Sequence, residues 1–142
     1  GDKWISKKSQ CSACDLGTYG SSPGQCIHCK PGMYQDGKGL SKCIECPVDT
    51  YLSEEGKSSK ADCIKCDFDK STGLSEGNID KASCLCKRKV YYQDDQNECR
   101  PCPKGADCNR LGDGIKLEEI VAEPGYWRAS PNSVEFFAYN SE

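Results

Sequence analysis

The chain of 142 residues is poor in large apolar side chains, with one methionine, two tryptophans and three phenylalanines. It therefore has little material for a single buried core, although its length would permit one. No apolar stretch approaches the roughly 20 residues that a membrane helix needs. The formal net charge is −3, with no block of one sign except Lys87-Arg88-Lys89, which argues against a nucleic-acid partner. Since the first residues carry no apolar signal region, we expect a mature or excised product.

Catalytic and metal-binding motifs are also missing from the sequence. There is no Ser/His/Asp set, no H-E-x-x-H and no phosphate-binding loop. The one histidine, His28, lies between Cys26 and Cys29, and we interpret it as a half-exposed residue between bonded cysteines. Acidic loop residues such as Asp36 and Asp94 form no calcium-loop series. We therefore predict no enzyme, no catalytic residue, no cofactor and no metal site.

Cysteine, by contrast, is abundant, and its spacing shows an internal repeat. Most of the cysteines form pairs with two residues between them, or one residue in a single case. A turn-forming residue usually follows three positions after the second cysteine. The thirteen cysteines are Cys11, Cys14, Cys26, Cys29, Cys43, Cys46, Cys63, Cys66, Cys84, Cys86, Cys99, Cys102 and Cys108. Such repeats, separated by loops rich in Gly, Ser, Asp and Lys, predict short irregular β-hairpins with little or no helix.

A turn residue and an aromatic residue give each repeat a small core of its own. The turn position holds Gly17, Gly32, Asp49, Asp69, Lys89 and Gly105. Glycine and aspartate suit a turn with positive φ. Tyr19, Tyr34, Tyr51 and Tyr91 follow two residues later. We expect each tyrosine ring to cover a neighbouring disulfide, with a row of exposed tyrosines that binds sugar or peptide as the less favoured alternative.

The cysteine pairs fit either disulfides or zinc knuckles. Zinc ribbons take two thiolates from each of two knuckles. The pairs here continue beyond a two-knuckle unit, one of them is C-x-C (Cys84, Cys86), and the total is odd. These features favour disulfides and an oxidising, extracellular compartment.

Two regular disulfide pairings remain open. The first crosses neighbouring pairs, as in Cys11 to Cys26 with Cys14 to Cys29, and leaves Cys108 over. The second joins neighbours across each loop and leaves Cys11 over. Its six pairs are Cys14–Cys26, Cys29–Cys43, Cys46–Cys63, Cys66–Cys84, Cys86–Cys99 and Cys102–Cys108. Each loop of about 15 residues contributes on the order of 3 kcal/mol by restricting the unfolded chain.

The character of the chain changes after Cys86. We predict a polar leading segment over 1–10, tandem cysteine-rich repeats over 11–86, and a last cysteine-rich unit with an aromatic-rich end over 87–142. Near the end, IKLEEIVAEPGYW predicts one helical turn followed by a strand, or a strand alone. The aromatic residues there predict either a compact cap on the repeats or an interface. They are Tyr126, Trp127, Phe136, Phe137 and Tyr139.

The C-x-x-C-x-x-G-x-Y pattern with Gly- and Ser-rich loops resembles the ephrin-receptor-like and EGF-like cysteine modules of extracellular proteins. It is more distantly similar in style to the repeats of tumour-necrosis-factor receptors. The order CLCKRKVYY, CRPCPKGADC and EPGYWR resembles large surface proteins of algae and other protists. The resemblance implies an extracellular or cell-surface protein without catalysis.

We expect an elongated, disulfide-stapled rod that acts as a structural or interaction module within a larger surface or filament-forming protein. Its partners would be other extracellular proteins, neighbouring domains of the same chain, or further copies of itself. The alternative is a receptor-type ectodomain that binds a protein or glycan ligand.

Overall fold

The structure is a computed structural model that describes residues 14–139. Over that range it contains short β-strands, three 3-10 turns and no α-helix. The strands are β1 Thr18–Ser22, β2 Gln25–His28, β3 Met33–Tyr34, β4 Ile44–Glu45, β5 Thr50–Tyr51, β6 Ile64–Lys65, β7 Lys70–Ser71, β8 Leu85–Cys86, β9 Tyr91–Gln93, β10 Cys99–Pro101, β11 Ala106–Asp107, β12 Val121–Ala122, β13 Tyr126–Arg128 and β14 Phe136–Ala138. The 3-10 turns are Lys60–Asp62, Lys81–Ser83 and Leu117–Glu119. The predicted small, disulfide-rich fold with short hairpins is confirmed, as is the helical turn followed by a strand near the end.

The described chain divides into two compact units. The first holds the residues up to Cys66 together with Thr72–Cys84, and therefore contains β1 to β6. The second holds Asp67–Ser71 and the residues from Leu85 onward, and contains β7 to β14. In both units each odd-numbered strand pairs with the next strand as an antiparallel hairpin.

The β3–β4 hairpin shows how one repeat is built. Gly32 is at its turn position and has φ +84°, a conformation that glycine adopts without steric cost. Tyr34, at the aromatic position, pairs across the hairpin with Ile44. The next two cysteines, Cys43 and Cys46, occupy what we call the first and second cysteine positions. The β1–β2 and β5–β6 hairpins repeat this register, with Tyr19 opposite Ile27 and Tyr51 opposite Ile64.

Positive φ recurs at the turn position, as the sequence predicts, with one exception. The residues with φ between +62° and +84° at this position are Gly17, Gly32, Asp49, Lys89 and Gly105. Asp69 is not among the described residues with positive φ, and it lies in the repeat that also lacks the tyrosine. In the following repeat the aromatic position is taken by Tyr92, which pairs with Arg100, rather than by the predicted Tyr91. The extra residue Val90 in the turn shifts the register by one.

Six disulfides close the loops, each with a Cα–Cα distance between 5.4 and 6.1 Å. Their pairs are Cys14–Cys26, Cys29–Cys43, Cys46–Cys63, Cys66–Cys84, Cys86–Cys99 and Cys102–Cys108. The pairing is that of the scheme which joins neighbours across each loop, and Cys108 is therefore bonded. Cys11, the cysteine that this scheme leaves over, lies outside the described residues. No thiolate of these twelve cysteines is left for zinc, so the zinc-knuckle alternative does not fit.

Backbone hydrogen bonds close the hairpins of the first unit and connect them to later loops. The amide of Cys46, at a second cysteine position, donates to the carbonyl of Gly32 at 2.8 Å, and Cys29 makes the same bond to Gly17 at 2.9 Å. A loop glycine further along then donates to the cysteine carbonyl: Gly56 to Cys29 and Gly77 to Cys46, both at 2.8 Å. The buried Cys29 and Cys46 thus have partners for both of their main-chain groups, one in their own hairpin and one in a later loop.

The residue after the aromatic position is buried and holds the following loop. Leu52 is 2% exposed, and its amide donates to Asn78 O at 2.9 Å. Gln35 is 1% exposed, its amide donates to Lys57 O at 3.1 Å, and its side-chain amide donates to Lys42 O. Because the side-chain nitrogen and oxygen of Gln35 both have hydrogen-bond partners, a polar residue is accommodated in this buried position.

Each unit has one small apolar cluster of buried residues. In the first unit Tyr34 lies against Leu52 and the Cys46–Cys63 disulfide. The prediction that a tyrosine covers a neighbouring disulfide is confirmed for Tyr34. The cluster of the second unit is larger. It consists of Ala106, Cys108, Ile115 and Ile120, with Tyr92, Cys102, Leu117 and Phe136 packed against it.

Candidate interaction surface

The last described hairpin, β13–β14, carries three exposed aromatic side chains. In β13 and β14, Trp127 pairs with Phe137, and their ring centroids are 4.8 Å apart at an interplanar angle of 31°. Cross-strand partners project from the same face of a sheet. Trp127 is 42% exposed and Phe137 40%, and Tyr139, two residues beyond Phe137, is also exposed. We call Trp127, Phe137 and Tyr139 the aromatic face.

The other aromatic residues of this hairpin point into the second unit. Phe136 packs against the apolar cluster of that unit. The ring of Tyr126 lies over Gly105, where a Cβ atom would come within 2.7 Å of its Cε1 carbon. Strand alternation thus divides the five aromatic residues singled out in the sequence into an inner set and an outer set. Tyr126 and Phe136 have a packing role, and three side chains remain for an outward surface.

Arg128 fixes this hairpin to the preceding 3-10 turn. Its Nη1 and Nη2 donate to the carbonyls of Ile120 and Leu117, both at 2.8 Å, and its Nε donates to Ser133 O at 3.0 Å. The guanidinium carbon lies 4.9 Å from the centroid of the Phe136 ring. Burial lowers the pKa of Arg128 below its usual value, although the group stays charged. A fixed cation thus holds the aromatic face in place.

Replacing Arg128 with alanine should destabilise the second unit. A hydrogen bond from a charged donor contributes about 1.5–3 kcal/mol, and we expect Arg128→Ala to lower the free energy of unfolding by at least that amount. Arg128→Lys should recover only a small part, because one ammonium group cannot reach three carbonyls in this arrangement. Denaturant unfolding without reductant, followed by tryptophan fluorescence, measures both changes. A lysine variant as stable as the parent chain would show that charge alone suffices.

The last hairpin is built as a repeat, although it contains no cysteine. Its turn residue Gly125 has φ +88°, and the Tyr126 amide donates to Glu123 O at 3.0 Å. In the β3–β4 hairpin the Met33 amide makes the equivalent bond to Lys30 O at 3.1 Å. The sequences Glu-Pro-Gly-Tyr-Trp and Lys-Pro-Gly-Met-Tyr correspond residue by residue. Trp127 therefore occupies the aromatic position of a repeat.

The return strand of this hairpin identifies the residues that stand in for cysteines. The Tyr139 amide donates to Gly125 O at 2.9 Å, as Cys46 does to Gly32 in the β3–β4 hairpin. Tyr139 is therefore at the second cysteine position and Phe136, three residues earlier, at the first. The β11–β12 hairpin has the same substitution, since Glu123 donates to Gly105 O at 2.8 Å. This bond places Glu123 at the second cysteine position of the β11–β12 hairpin. The buried Ile120, three residues earlier, is then at the first cysteine position.

The remaining chemistry-bearing residues do not come together as a site. His28 is exposed at the end of β2. Asp94 accepts hydrogen bonds from its own loop and from Arg100 Nε at 2.8 Å, and its pKa is lowered chiefly by a backbone hydrogen bond from Glu98. Within residues 14–139, no group of three or more His, Cys, Asp or Glu side chains is placed to hold a metal ion. No helix over the same range is long and apolar enough to cross a membrane.

Comparison with known proteins agrees with the repeat architecture. Residues 20–63 match the family described as tyrosine-protein kinase ephrin type A/B receptor-like. The mouse signal peptide, CUB and EGF-like domain-containing protein 2 is 31% identical over 118 residues, which is 77% of this chain and 12% of that protein. Cysteine repeat modular protein A of Toxoplasma gondii is 27% identical over 139 residues, which is 90% of this chain and 4% of that protein.

The chain therefore spans only a small part of the relatives it matches. The mouse endosome/lysosome-associated apoptosis and autophagy regulator family member 2 is 43% identical over 58 residues, 41% of this chain and 5% of that protein. The family match over residues 20–63 includes the β3–β4 hairpin described above. The described chain is a series of disulfide-bonded, cysteine-rich repeats, and residues 20–63 are similar to the ephrin-receptor-like family.

Proposed function

We propose that the chain is a non-catalytic structural module of a larger extracellular or cell-surface protein. That protein would arrive at its location through the secretory pathway. In this role the repeats form an elongated, stiff rod that sets the distance between the parts of the protein on either side. The observation that carries the proposal is the continuity between repeats. In the first unit, the amides of Gly17 and Gly32 donate to Gln35 O and Leu52 O of the next repeat at 2.8 and 2.7 Å, and the carbonyls of Cys29 and Cys46 accept from glycines of later loops.

Disulfides supply the stiffness that a thin core does not. The apolar cluster of the first unit has four members, two of which are bonded cysteines. Each disulfide closes a loop whose ends are separated by 6 to 18 residues, so local unfolding of one loop leaves its ends joined. A module of this kind needs neither a cofactor nor a catalytic residue to function.

Small-angle X-ray scattering of the dilute, oxidised chain tests the rod. A compact domain of 142 residues has a radius of gyration of about 14–15 Å, and an unfolded chain about 39 Å. We expect an intermediate value, a distance distribution with a long tail, and little dependence on salt. A radius near that of the compact domain would contradict the rod, whatever the association state at higher concentration.

A receptor-type ectodomain is the second candidate function, favoured by the exposure of the aromatic face. Paired aromatic rings on a hairpin suit a protein or a glycan ligand. The isolated chain would then keep measurable affinity for its ligand, whereas a spacer would bind only repeats of its own kind. Binding of the chain to an array of extracellular proteins and glycans, with a Trp127→Ala variant as control, separates the two functions.

A further inference from the structure

The sequence contains one run of three like charges, Lys87-Arg88-Lys89, which the proposed function does not use. This run lies in the turn between β8 and β9, within the second unit. All three of its residues are exposed. The turn is therefore a basic element in a chain whose formal net charge is −3.

Hydrogen bonds to main-chain groups hold the basic run in one conformation. Its three amides donate, in order, to Asp69 O at 3.0 Å, to Asp113 Oδ1 at 2.9 Å and to Cys108 O at 3.0 Å. The Tyr91 amide donates back to the carbonyl of the first residue of the run at 3.1 Å. The three side chains therefore start from a fixed backbone, which lowers the entropy cost of binding a ligand.

The loop after Cys108 brings a fourth cation to this turn. Arg110 is exposed and lies between Cys108, whose carbonyl accepts from Lys89, and Asp113, whose carboxylate accepts from Arg88. These two contacts place the loop beside the turn. We call the four residues Lys87, Arg88, Lys89 and Arg110 the basic face.

The basic face keeps an excess of positive charge when the carboxylates of its surroundings are counted. Asp107 and Asp113 flank the loop that carries Arg110, and each accepts a hydrogen bond from a main-chain amide at 2.9 Å. Asp69 and Lys70, next to the turn, offset each other in charge. Four cations against two carboxylates leave two positive charges. Among the residues that the structure describes, none of the four cations forms a side-chain ion pair.

The backbone conformation of Lys89 is a second, independent observation. Its φ is +73°, a left-handed conformation that costs a residue with a Cβ conformational free energy, and glycine would avoid that cost. The other turn positions with positive φ hold glycine or aspartate. Strain of this kind concentrates at functional sites. A lysine at this position therefore indicates that its charge has a use.

The basic face suits a partner that carries several anionic groups close together. The arginine guanidinium groups can donate two parallel hydrogen bonds to an oxyanion such as sulfate, and the lysine ammonium groups act as point charges. Clusters of this type are typical of proteins that bind heparin or nucleic acid. For a protein outside the cell, a sulfated glycan fits better than a membrane, because anionic lipids are concentrated in the cytoplasmic leaflet.

We propose that the basic face binds a sulfated polysaccharide. This inference rests on the extracellular location in the proposed function and adds a ligand to the structural module. The aromatic face takes no part in the contact. A rod with this turn would be attached along a sulfated glycan chain by charge, and ionic strength would control the attachment.

Titration calorimetry of the oxidised chain with a sulfated heparin oligosaccharide tests the proposal. We expect binding that weakens as salt is added, and no binding of the same oligosaccharide after removal of its sulfates. The double variant Lys87→Gln/Lys89→Gly should weaken binding at least about tenfold, since one cation near a dense anionic surface contributes about fivefold. Glycine adopts positive φ without steric cost, so this variant should fold. Intact mass without reductant confirms its disulfides.

The matched control is Lys38→Gln/Lys60→Gln, which removes two exposed lysines from the first unit and changes the net charge equally. It should bind heparin like the parent chain. Trp127→Ala should also leave heparin binding unchanged, which separates the basic face from any ligand of the aromatic face.

Vesicles that contain phosphatidylserine and single-stranded DNA are titrated in parallel. Tighter binding of the chain to either of them than to heparin would overturn the proposal. So would a parent chain that does not bind heparin, binding that survives removal of the sulfates, or an equal loss of affinity in the control variant. A chain that binds no heparin but scatters as a rod would leave the proposed function standing.

Discussion

Replacing Gly32 with alanine should prevent efficient oxidative folding of the first unit. Gly32 has φ +84°, where an L residue with a Cβ costs about 1–2 kcal/mol. A Cβ there would also lie 2.9 Å from the carbonyl carbon of Gly77 and closer still to its oxygen. That carbonyl belongs to the backbone, so it cannot swing aside as a flexible side chain would.

The backbone bonds around Gly32 add to the effect of the clash. Its amide donates to Leu52 O at 2.7 Å and its carbonyl accepts from Cys46 at 2.8 Å. Moving Gly32 to relieve the clash would stretch both bonds. With overpacking at about 1–3 kcal/mol, we expect a total loss of about 2–5 kcal/mol in the free energy of unfolding. Denaturant unfolding without reductant and the yield of the oxidised form measure it.

Gly112→Ala is the matched control for Gly32→Ala. Gly112 also has positive φ, at +94°, but a Cβ there would meet nothing within 4 Å. It should show only the conformational cost of about 1–2 kcal/mol. Gly17→Ala should behave like Gly32→Ala, because Gly17 faces the carbonyl of Gly56 in the same way. Equal losses in the free energy of unfolding of the Gly32→Ala and Gly112→Ala variants would mean that the close contact with the Gly77 carbonyl costs no free energy.

The second large effect is expected from removing the Cys46–Cys63 disulfide with the pair Cys46→Ala and Cys63→Ala. The two cysteines are 17 residues apart, for which loop closure alone gives about 3 kcal/mol. Both side chains are also buried against Tyr34, so truncation leaves a void in the cluster of the first unit. The combined loss in the free energy of unfolding should be about 3–5 kcal/mol, and Tyr34 should become more exposed.

The Cys102–Cys108 disulfide provides the comparison. Its ends are only six residues apart, which corresponds to about 2 kcal/mol of loop closure. Guanidinium unfolding, without reductant, of the Cys46→Ala/Cys63→Ala and Cys102→Ala/Cys108→Ala variants measures both losses in the free energy of unfolding on one scale. A larger loss for the shorter loop would show that packing rather than chain entropy dominates the disulfide contribution.

The repeats that contain cysteines could be predicted from sequence because cysteine marks their period. Glycine or aspartate at the turn position also predicted positive φ at Gly17, Gly32 and Asp49. Pairing could not be chosen from spacing, since both schemes close loops of similar length. The structure selects the scheme in which each disulfide closes the loop that follows one pair.

The sequence marked the turn of the β11–β12 hairpin at Gly105 but not its return strand, and it missed the last hairpin. The first cysteine positions of these two hairpins hold Ile120 and Phe136, which carry no periodic signal. The Pro-Gly-Tyr-Trp sequence at Pro124–Trp127 is the one trace of the repeat that could have shown the last of them. The division of the aromatic residues into an inner and an outer set depended on strand register. Register is fixed by the turn and the buried face, and a single extra residue such as Val90 changes it.

The pairing of neighbouring cysteines also determines how the chain responds to tension. A pulling force on Cys14 and Cys108 would pass through each disulfide and along the short links between pairs, such as Cys26–Cys29 and Cys43–Cys46, and would bypass every loop. Unfolding a loop therefore adds almost no length while its disulfide is intact. Reducing the Cys66–Cys84 bond alone would release 18 residues, or about 60 Å of slack. In the proposed structural role, the oxidised repeats would act as a tether of fixed length, and reduction of a disulfide would lengthen it.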